Sequence, residues 1–223
     1  MNKAVLVAGA TGRSGQIIVN EIKNHGFYTH ALVRDIPTAQ NLLGNDIIFH
    51  EGDVRDIDTL TEPMSQVGAV ICAIGTRTPV GKNCPKHVDY EGVANLVQAA
   101  STSHVSRFIL ISSIAVTHPE HPLNCFGKVL DWKRKGEDSL RQSNLEYAIV
   151  RPGGLKDTPG RRHTIHFDQG DRIMGTLSRS DLAVIILQAL IFPNPLRVTF
   201  EAIEAENHED RSWYHQFSSL SPD

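Results

Sequence analysis

Short apolar runs recur along the chain, and each is followed by a longer stretch in which apolar and polar residues are mixed. The runs are rich in valine and isoleucine and mostly lack a strict alternation of apolar and polar positions. That pattern is typical of strands covered on both faces, as in a parallel sheet. It predicts strands at residues 3–8, 28–33, 46–50, 69–74, 107–112, 147–151 and 198–203.

Helical patterns lie between these runs. Apolar residues recur at helical spacing from Ser14 and again from His87, and Gly26 stands where a glycine would end the first helix. The apolar stretch 182–192 is too short to cross a bilayer and predicts a buried helix. Strands that alternate with helices indicate a parallel sheet with helices on both faces.

These elements predict one α/β domain with a Rossmann-like, doubly wound parallel sheet. We expect the domain to span residues 1–204 and a polar tail to occupy residues 205–223. Residues 155–176 are polar and contain glycines, which predicts a long surface loop within the domain. Long loops of that kind are often functional.

The first predicted strand runs into a glycine-rich segment, GATGRSG at residues 9–15. A loop that joins a strand to a helix at the carboxyl edge of a parallel sheet lies at the ligand crevice. There its amides and the helix dipole suit an anionic group such as a pyrophosphate, and glycines permit close approach. A tight turn alone would also explain the glycines, but their position between strand and helix favours dinucleotide binding.

Composition and charge narrow the range of partners. The chain of 223 residues has a formal net charge of −3, which gives no electrostatic reason to expect nucleic acid or an anionic membrane. Its three cysteines lack metal-ligand spacing, and with no signal-peptide pattern they favour a reducing cytoplasm. Two histidine pairs lack further ligands, so we predict no metal site. We expect a small-molecule substrate and a monomer or homodimer.

Further motifs follow the glycines in order along the chain. They are HALVRD, EGDVRD, CAIGT, VDYEGVANLVQAA, ILISSIAV, KRKGEDSLRQSNLEYAIVRPGGL and SRSDLAVIILQAL. Together with GATGRSG they resemble the atypical members of the short-chain dehydrogenase/reductase superfamily, in particular the NmrA-like and biliverdin reductase B (flavin reductase) types. The resemblance implies a fold that binds NAD or NADP. It assigns cofactor contacts to Gly9, Thr11, Gly12, Arg13, Ser14, Gly15, Arg34, Asp53, Val54, Ala73, Ile74, Gly75, Thr76, Lys133, Pro152, Gly153, Gly154 and Leu155.

The end of the second predicted strand bears on the choice between NAD and NADP. Enzymes that use NAD usually have a carboxylate there to bind the ribose 2′-hydroxyl, whereas this chain has Arg34 followed by Asp35. The Arg34 guanidinium can bind a 2′-phosphate through two hydrogen bonds, and Arg13 can supply a second cation. We therefore predict NADP(H) in preference to NAD(H). The alternative is that Asp35 binds the ribose and Arg34 is solvated.

The catalytic pattern of the resembling enzymes is incomplete in this chain. Those enzymes pair a serine with Y-x-x-x-K, in which the lysine lowers the pKa of the tyrosine so that it can transfer a proton. Ser112 and Ser113 match the serine and Lys133 matches the lysine, but Val129 takes the place of the tyrosine. Lys133 either binds the nicotinamide ribose or is a solvated member of a basic run. The serines either act in catalysis or make helix-capping or strand-end hydrogen bonds, and we expect at least one of the two to do only the latter.

A cofactor motif with an incomplete acid–base set suggests three functions. The first is an NADPH-dependent reductase of a flavin, a quinone or a similar conjugated molecule, which needs little proton donation from the enzyme. The second is a non-catalytic NADP-binding module that reports redox state, as NmrA-like proteins do. The third is a nucleotide-sugar epimerase, which the missing tyrosine and the short C-terminal region disfavour. We expect the substrate pocket between loops 75–87, 114–128 and 155–176.

Overall fold

The structure is a computed structural model that describes residues 4–103, 105–194, 196–205 and 212–223. Ten strands lie within these ranges. They are β1 Ala4–Ala8, β2 Tyr28–Val33, β3 Ile48–Glu51, β4 Ala69–Cys72, β5 Arg107–Ile111, β6 Glu146–Pro152, β7 Gly154–Lys156, β8 Thr164–Asp168, β9 Thr176–Ser178 and β10 Arg197–Ala205.

Eight of these strands form one sheet in the order β3-β2-β1-β4-β5-β6-β10-β8. Every neighbouring pair in it is parallel except β10 and β8, which are antiparallel. β7 and β9 form a separate parallel pair. The order reverses direction between β1 and β4, and an open α/β sheet binds ligands beyond the carboxyl ends of its strands at such a point.

Helices cover both faces of the sheet. They are α1 Arg13–Asn24, α2 Ile36–Leu43, α3 Thr61–Ser65, α4 Val93–Thr102, α5 Val129–Arg141, α6 Arg179–Ile191 and α7 Trp213–Ser218. Shorter 3₁₀ segments lie at Ile57–Thr59 and Pro122–Cys125, and a π-helical segment at Lys86–Gly92 leads directly into α4. In the described ranges we find no helix with the length and apolar character needed to cross a membrane.

The two faces of the sheet bury separate apolar layers. One layer contains Ile18 and Ile22 of α1 with Leu182 and Ile186 of α6. The other contains Met64 of α3 with buried side chains of α4 and α5. The seven strands predicted from the apolar runs are all present, and the prediction of a single doubly wound Rossmann-like domain is confirmed.

Residues 155–176 are not the continuous loop that the sequence predicts. They contribute to β7, β8 and the start of β9, and β8 extends the sheet beside β10. All five residues of β8 are only partly buried, because β8 is the edge strand of the sheet. An edge strand of polar and apolar residues lacks the continuous apolar run that marked the buried strands.

The C-terminal residues that we predicted as a polar tail include a short packed helix. Phe217 of α7 is buried, and its ring lies 5.4 Å from that of Phe167 and 5.6 Å from that of Phe200. The carboxylate of Asp223 accepts hydrogen bonds from Thr199. The polar residues 206–211 of the predicted tail lie outside the described residues.

Candidate functional site

The glycine turn between β1 and α1 packs tightly against the end of β4. Gly9 has a φ of 86°, and a Cβ atom at this position would lie 2.5 Å from the carbonyl oxygen of Ala73. A Cβ atom at Gly15 would lie 2.1 Å from the carbonyl oxygen of Gly9. No side chain caps the first turn of α1, whose N-cap is Gly12. Amides at a helix start that no side chain caps suit a bound anion, and the glycines let the turn pack closely against β4 and itself.

A cleft of about 490 Å³ opens beside this turn, and we call it the glycine-turn cleft. It runs along the carboxyl ends of β1, β2 and β4, where the strand order predicts a ligand crevice. The residues of the predicted cofactor set that line it are Gly9, Thr11, Gly12, Arg34, Asp53, Val54, Ala73, Ile74, Gly75 and Thr76. The cleft is also lined by residues outside the predicted cofactor set, of which Arg77, Thr78 and Asn83 belong to the predicted pocket loop 75–87 and Thr38, Leu42 and Arg55 do not.

The remaining residues of the predicted set lie outside this cleft. Arg13 is 71% exposed and donates a hydrogen bond to Asp157 at 3.2 Å, so it leans toward the segment 155–176. Gly153 sits close to the backbone of Gly175, where a Cβ atom would lie 2.6 Å from the carbonyl oxygen. The structure therefore places part of the predicted set in the cleft lining and the rest outside it. Ser14, Gly15, Lys133, Pro152, Gly154 and Leu155 are the other members beyond the cleft lining.

At the end of β2, Arg34 and Asp35 have different surroundings. The Asp35 carboxylate accepts a hydrogen bond from the Thr38 amide at 2.8 Å and caps the start of α2. This hydrogen bond holds the pKa of Asp35 below its usual range. Arg34 is exposed and makes no hydrogen bond or ion pair with any residue in the described part of the chain. A cation that lines the cleft is thus free, while the neighbouring carboxylate already has a structural partner.

Asp53 is held by Arg55, a residue that the sequence analysis overlooked. Both carboxylate oxygens of Asp53 contact the guanidinium, with Oδ1 at 2.9 Å from Nε. The hydrogen bonds from Arg55 lower the pKa of Asp53 despite the opposing effect of burial. Arg55 also donates to the carbonyl oxygen of Lys82 at 3.0 Å. It therefore joins the segment after β3 to the predicted loop 75–87.

Lys133 lies on α5 and forms an ion pair with Asp89. Its Nζ atom is 2.8 Å from Oδ1 of Asp89, and the side chains of Lys133 and Asp89 are 18% and 0% exposed. Burial lowers the pKa of Lys133, but the attraction of Asp89 outweighs burial and the net effect raises that pKa. Lys133 is therefore not the solvated lysine of the alternative interpretation.

A small pocket of about 10 Å³ adjoins this ion pair, and we call it the Lys133 pocket. Ser112 lines it, is 7% exposed, and has a hydroxyl without a hydrogen-bond partner in the described residues. A buried hydroxyl with no partner is uncommon, because leaving it unpaired costs about 1–3 kcal/mol. The alternative of a strand-end hydrogen bond fails for Ser112. Ser112 and Lys133 border the same small pocket. The pocket is lined by Ile74, Asp89, Val93, Leu110, Ile111, Ser112 and Lys133.

The position that matches the family's tyrosine is apolar in its surroundings as well as in its side chain. Val129 begins α5 and packs against the small cluster of Ala115, Val116 and Leu130. Tyr147 cannot substitute for the missing phenol, because it lies at the start of β6, away from the carboxyl edge of the sheet. Burial and the nearby carboxylate of Asp223 raise the pKa of Tyr147 to about 12.

A buried carboxylate joins two of the predicted pocket loops. Asp171, which is 3% exposed, accepts hydrogen bonds from the amides of Ala115 at 2.6 Å and Thr117 at 2.8 Å. Its own amide donates to Glu201 at 2.9 Å. Glu201 in turn pairs with Arg151 at 3.2 Å. Loops 114–128 and 155–176 are therefore fixed to each other and to the sheet, a contact that the sequence alone did not indicate.

Loop 75–87 also touches loop 114–128. A Cβ atom at Gly127 would lie 2.5 Å from the carbonyl oxygen of Pro79. Exposed apolar side chains occur on all three loops, with Val80 at 75%, Phe126 at 37% and Met174 at 53%. These loops therefore present apolar surface to solvent at the carboxyl edge of the sheet.

We also searched the described residues for metal ligands and examined the cysteines. In the ranges that the structure describes, no group of three histidine, cysteine, aspartate or glutamate side chains could hold a metal ion. The three cysteines are free, and burial raises the pKa of Cys72 to about 12. A thiol with so high a pKa is a packing residue and not a nucleophile.

Comparisons with known proteins give the family of the chain. A model of a family described as NAD(P)H-binding matches residues 9–193. An uncharacterised chloroplast protein of Arabidopsis thaliana is 33% identical, over 98% of this chain and 82% of its own length. Sanguinarine reductase of Eschscholzia californica is 28% identical, over 83% of each chain. Protein TIC 62 of Pisum sativum, also a chloroplast protein, is 33% identical over 86% of this chain but only 40% of its own.

Solved structures agree with the fold. A candidate NAD-dependent epimerase/dehydratase from Bacillus halodurans superimposes with a TM-score of 0.82 at 25% identity, over 97% of this chain and 99% of its own. The anaerobillin reductase ChuY from Escherichia coli O157:H7 has a TM-score of 0.79 at 23% identity, over 92% of this chain and 99% of its own. The second likeness shows a shared fold alone.

The relatives also correct one prediction. The expectation of a cytoplasmic location is wrong on this comparison, because the Arabidopsis and pea proteins that match are both named as chloroplast proteins. The free cysteines did not distinguish the two locations, since any reducing compartment keeps thiols free.

A helix start that a glycine turn leaves uncapped beside the cleft fits a bound phosphate, and an unpaired Ser112 hydroxyl among the described residues fits a ligand beside Lys133. The family model covers most of the chain and describes the same binding chemistry. The chain therefore belongs to the NAD(P)H-binding family, within the atypical, NmrA-like short-chain dehydrogenase/reductases that its motifs resemble.

Proposed function

We propose that the protein binds NADPH and reduces a conjugated small molecule such as a flavin or a quinone. The observation that favours NADPH over NADH concerns the two residues at the end of β2. Asp35 caps α2, and Arg34 lines the glycine-turn cleft, where it attracts the Asp53 carboxylate but makes no hydrogen bond or ion pair with the described residues. A helix-capping carboxylate has one oxygen fewer to offer a ribose 2′-hydroxyl, whereas the neighbouring guanidinium suits a 2′-phosphate.

The chain's own residues would hold the cofactor at several points. The amides at the start of α1 would bind the pyrophosphate, and Arg34 the 2′-phosphate. Lys133 would bind the nicotinamide ribose, and the backbone at 152–155 would lie against the nicotinamide amide, as in the resembling proteins. Bound NADPH supplies a two-electron reducing equivalent. Ser112 and Ser113 would orient the substrate at the edge of the Lys133 pocket.

The choice of substrate class depends on Val129 and on the loops. No phenol is available at the tyrosine position, so the protein is poorly equipped to donate a proton to a simple carbonyl. A conjugated substrate that takes its proton from water does not need that group. Exposed apolar side chains such as Val80 and Phe126 suit a large, flat, apolar substrate. Two of the matched proteins, from Eschscholzia and Escherichia, are named as reductases.

Turnover assays test this proposal directly. Purified protein would be mixed with NADPH and a panel of flavins, quinones and simple carbonyls while the absorbance of the reduced nicotinamide is followed. We expect oxidation of NADPH with flavins or quinones and very slow oxidation with carbonyls. Oxidation that persists with heat-denatured protein would measure the background. Fast reduction of simple carbonyls would contradict the substrate class.

The second candidate function is a non-catalytic NADP-binding module, because Val129 stands in place of the usual proton donor. If NADPH binds tightly in a calorimetric titration but no compound in the panel is reduced, the protein is an NADP-binding module and not a reductase. If neither NADPH nor NADH binds, both functions are excluded.

A further inference from the structure

Ala115 and Asp171 lie on different predicted pocket loops, and both have an unusual backbone conformation. Ala115 has a φ of 67° and Asp171 a φ of 58°, in the left-handed region. This region is disfavoured roughly tenfold for a residue such as alanine, which has no polar side chain to compensate locally. Strained backbone persists only where its surroundings hold it, and it is common at functional sites. The contacts of these two residues therefore show what maintains the strain.

The two strained residues are bonded directly to each other. The Ala115 amide donates to Oδ1 of Asp171 at 2.6 Å. Oδ2 accepts from both the amide and the hydroxyl of Thr117, each at 2.8 Å. Burial would raise the pKa of Asp171, but its hydrogen bonds from Thr117 and Ala115 outweigh burial and lower that pKa. The turn at Ala115 is thus bound by a charged acceptor, and such hydrogen bonds are strong.

Asp171 is itself fixed to the sheet on its other side. Its amide donates to Glu201 of β10 at 2.9 Å, and Glu201 pairs with Arg151 of β6 at 3.2 Å. Arg151 also forms two hydrogen bonds to Glu137 of α5, the shorter at 2.7 Å. All four side chains are buried. Because removing one partner from such a chain would leave a buried charge uncompensated, the chain holds Asp171 in place.

The turn at Ala115 directly follows the two serines after β5. The amides of Ser112 and Ile114 donate to carbonyl oxygens of β6, at 2.8 and 3.2 Å. The next amide, that of Ala115, donates to Asp171 instead. Ser112 and Ser113 therefore lie on a segment that β6 holds on one side and the Asp171 carboxylate holds at its end.

The Ser112 hydroxyl is a second sign that this segment is not free to relax. It is buried at the Lys133 pocket and has no hydrogen-bond partner among the described residues. A mobile segment would turn until the hydroxyl reached water or a carbonyl group, because an unpaired buried hydroxyl is unfavourable. The chain instead keeps an unpaired hydroxyl and a strained turn close together in sequence, as expected of a segment that is pre-organised for a ligand.

We infer that Asp171 is a positioning residue for the reduction: it keeps the turn at Ala115 left-handed and so holds the Ser112 hydroxyl toward a substrate at the edge of the Lys133 pocket. The inference rests on the proposed function for the identity of the reaction. It gives the segment after β8 a task in the chemistry, although Asp171 does not itself border the pocket.

Steady-state kinetics with one flavin, FMN, and one quinone, menadione, test this inference. Asp171→Asn keeps the size of the side chain but removes its charge and one acceptor oxygen. We expect kcat to fall about tenfold, the factor by which alanine disfavours the left-handed turn. NADPH affinity, measured by calorimetry, should stay nearly constant, since Asp171 does not line the glycine-turn cleft. An unchanged kcat would overturn the inference, as would a loss of NADPH affinity equal to the loss of kcat.

Asp168→Asn is the matched control for the change of charge. Asp168 lies on β8 and bonds to the exposed Arg172, not to loop 114–128. Its kcat should equal that of wild type, and a tenfold fall in this variant too would overturn the inference.

The double variant Ala115→Gly/Asp171→Asn separates positioning from a general loss of structure. Glycine adopts positive φ as readily as negative φ, so the turn no longer depends on the carboxylate. We expect kcat to recover about fivefold relative to Asp171→Asn, because the competent conformation is populated again. A double variant no faster than Asp171→Asn would overturn the inference.

Hydrogen exchange gives a readout that does not depend on turnover. In Asp171→Asn the amides of Ala115 and Thr117 should exchange faster than in wild type, while those of β5 keep their rates; unchanged exchange at both positions would overturn the inference. If wild type oxidises no NADPH with either substrate, the proposed function fails, whereas the exchange rates still show whether Asp171 holds the turn. If Asp171→Asn does not fold, Asp171→Glu, which keeps the charge but moves the carboxylate, should lower kcat; an unchanged kcat there would overturn the inference.

Discussion

The charged groups of the glycine-turn cleft are exposed to solvent, whereas those of the Lys133 pocket are buried. In the cleft, main-chain amides and exposed guanidinium groups such as Arg34 face solvent. In the Lys133 pocket, the cation and its carboxylate partner Asp89 are both largely buried. The first region lies in the loops that follow β1, β2, β3 and β4, whereas the second is packed between the segment after β4, the π-helical segment, α4, β5 and α5. Changes in the cleft should therefore affect one ligand contact, and changes in the pocket should affect several elements at once.

The largest expected effect comes from filling the glycine turn. Gly9→Ala would add a Cβ atom 2.5 Å from the carbonyl oxygen of Ala73, so the turn must shift away from β4. We expect NADPH affinity, measured by calorimetry, to fall more than about a hundredfold, a loss of about 3 kcal/mol. Gly26→Ala is the control, because Gly26 also has a positive φ but nothing lies within 4 Å of its added Cβ. It should lose about 1 kcal/mol of stability and keep its affinity. Unchanged binding by Gly9→Ala would mean that the turn does not contact the cofactor.

The next effect distinguishes the two cofactors within the cleft. Arg34→Ala should weaken NADPH binding about thirtyfold, since a hydrogen bond to a charged group contributes about 2 kcal/mol. NADH affinity should stay nearly constant, because NADH lacks the 2′-phosphate. Arg13→Ala should have a much smaller effect, because Arg13 pairs with Asp157 outside the cleft. Equal losses for both cofactors in Arg34→Ala would contradict the location assigned to the 2′-phosphate.

A third change attempts to give the Lys133 pocket the proton donor that it lacks. Val129→Tyr restores the Y-x-x-x-K spacing with Lys133. We expect the rate of NADPH-dependent reduction of a simple carbonyl to rise about tenfold, a cautious figure because a well-placed general acid contributes 100-fold or more. Val129→Phe has nearly the same size without the hydroxyl and should give no increase. A similar rise in both variants would show that apolar contact, and not proton donation, limits the rate.

The smallest effect concerns a buried chain of polar groups near the cleft. Nδ1 of His30 on β2 lies 2.8 Å from Nε2 of His50 on β3, and His50 contacts Glu62 at 3.2 Å. Burial and the neighbouring His50 lower the pKa of His30, although Glu62 opposes them. The unfolded chain then binds a proton more readily than the folded one, so the free energy of unfolding should decrease as the pH falls below about 6.5.

Urea unfolding at about pH 7.5 and about pH 5.5, on either side of the ordinary histidine pKa, measures that decrease. His30→Gln should reduce the difference between the two free energies, because the titrating group is gone. A difference as large as that of wild type would show that other groups cause the pH dependence. NADPH affinity at neutral pH should be unaffected, since His30 does not line the cleft.

The sequence was sufficient for the parts of the molecule that local patterns encode. Buried parallel strands appear as continuous apolar runs, and the glycine turn appears as a motif between a strand and a helix. Strand β8 was missed because it is an edge strand with half-exposed side chains. The cytoplasmic location was wrong because free thiols indicate a reducing environment and not a particular compartment.

The Lys133 pocket was harder to predict because its key contacts join residues far apart in the chain. Lys133 and Asp89 are separated by 44 positions, counted from their numbers, and only the folded sheet brings them together. One signal was present in the sequence: Asp89, Val93 and Leu96 have helical spacing, which puts a carboxylate on an otherwise apolar face. A charge at such a position requires a partner, but the sequence does not say which cation supplies it.

The contacts of Asp171 show which part of loop 114–128 is held in place. One carboxylate fixes Ala115 and Thr117 to the segment after β8, and the Asp171 amide in turn bonds to Glu201 of β10, so this contact anchors the start of the loop. Exchanges in residues 119–128 and 157–163, outside α5 and β6, would leave that anchor intact. The outer parts of both loops can therefore change in sequence while the frame beneath them stays fixed.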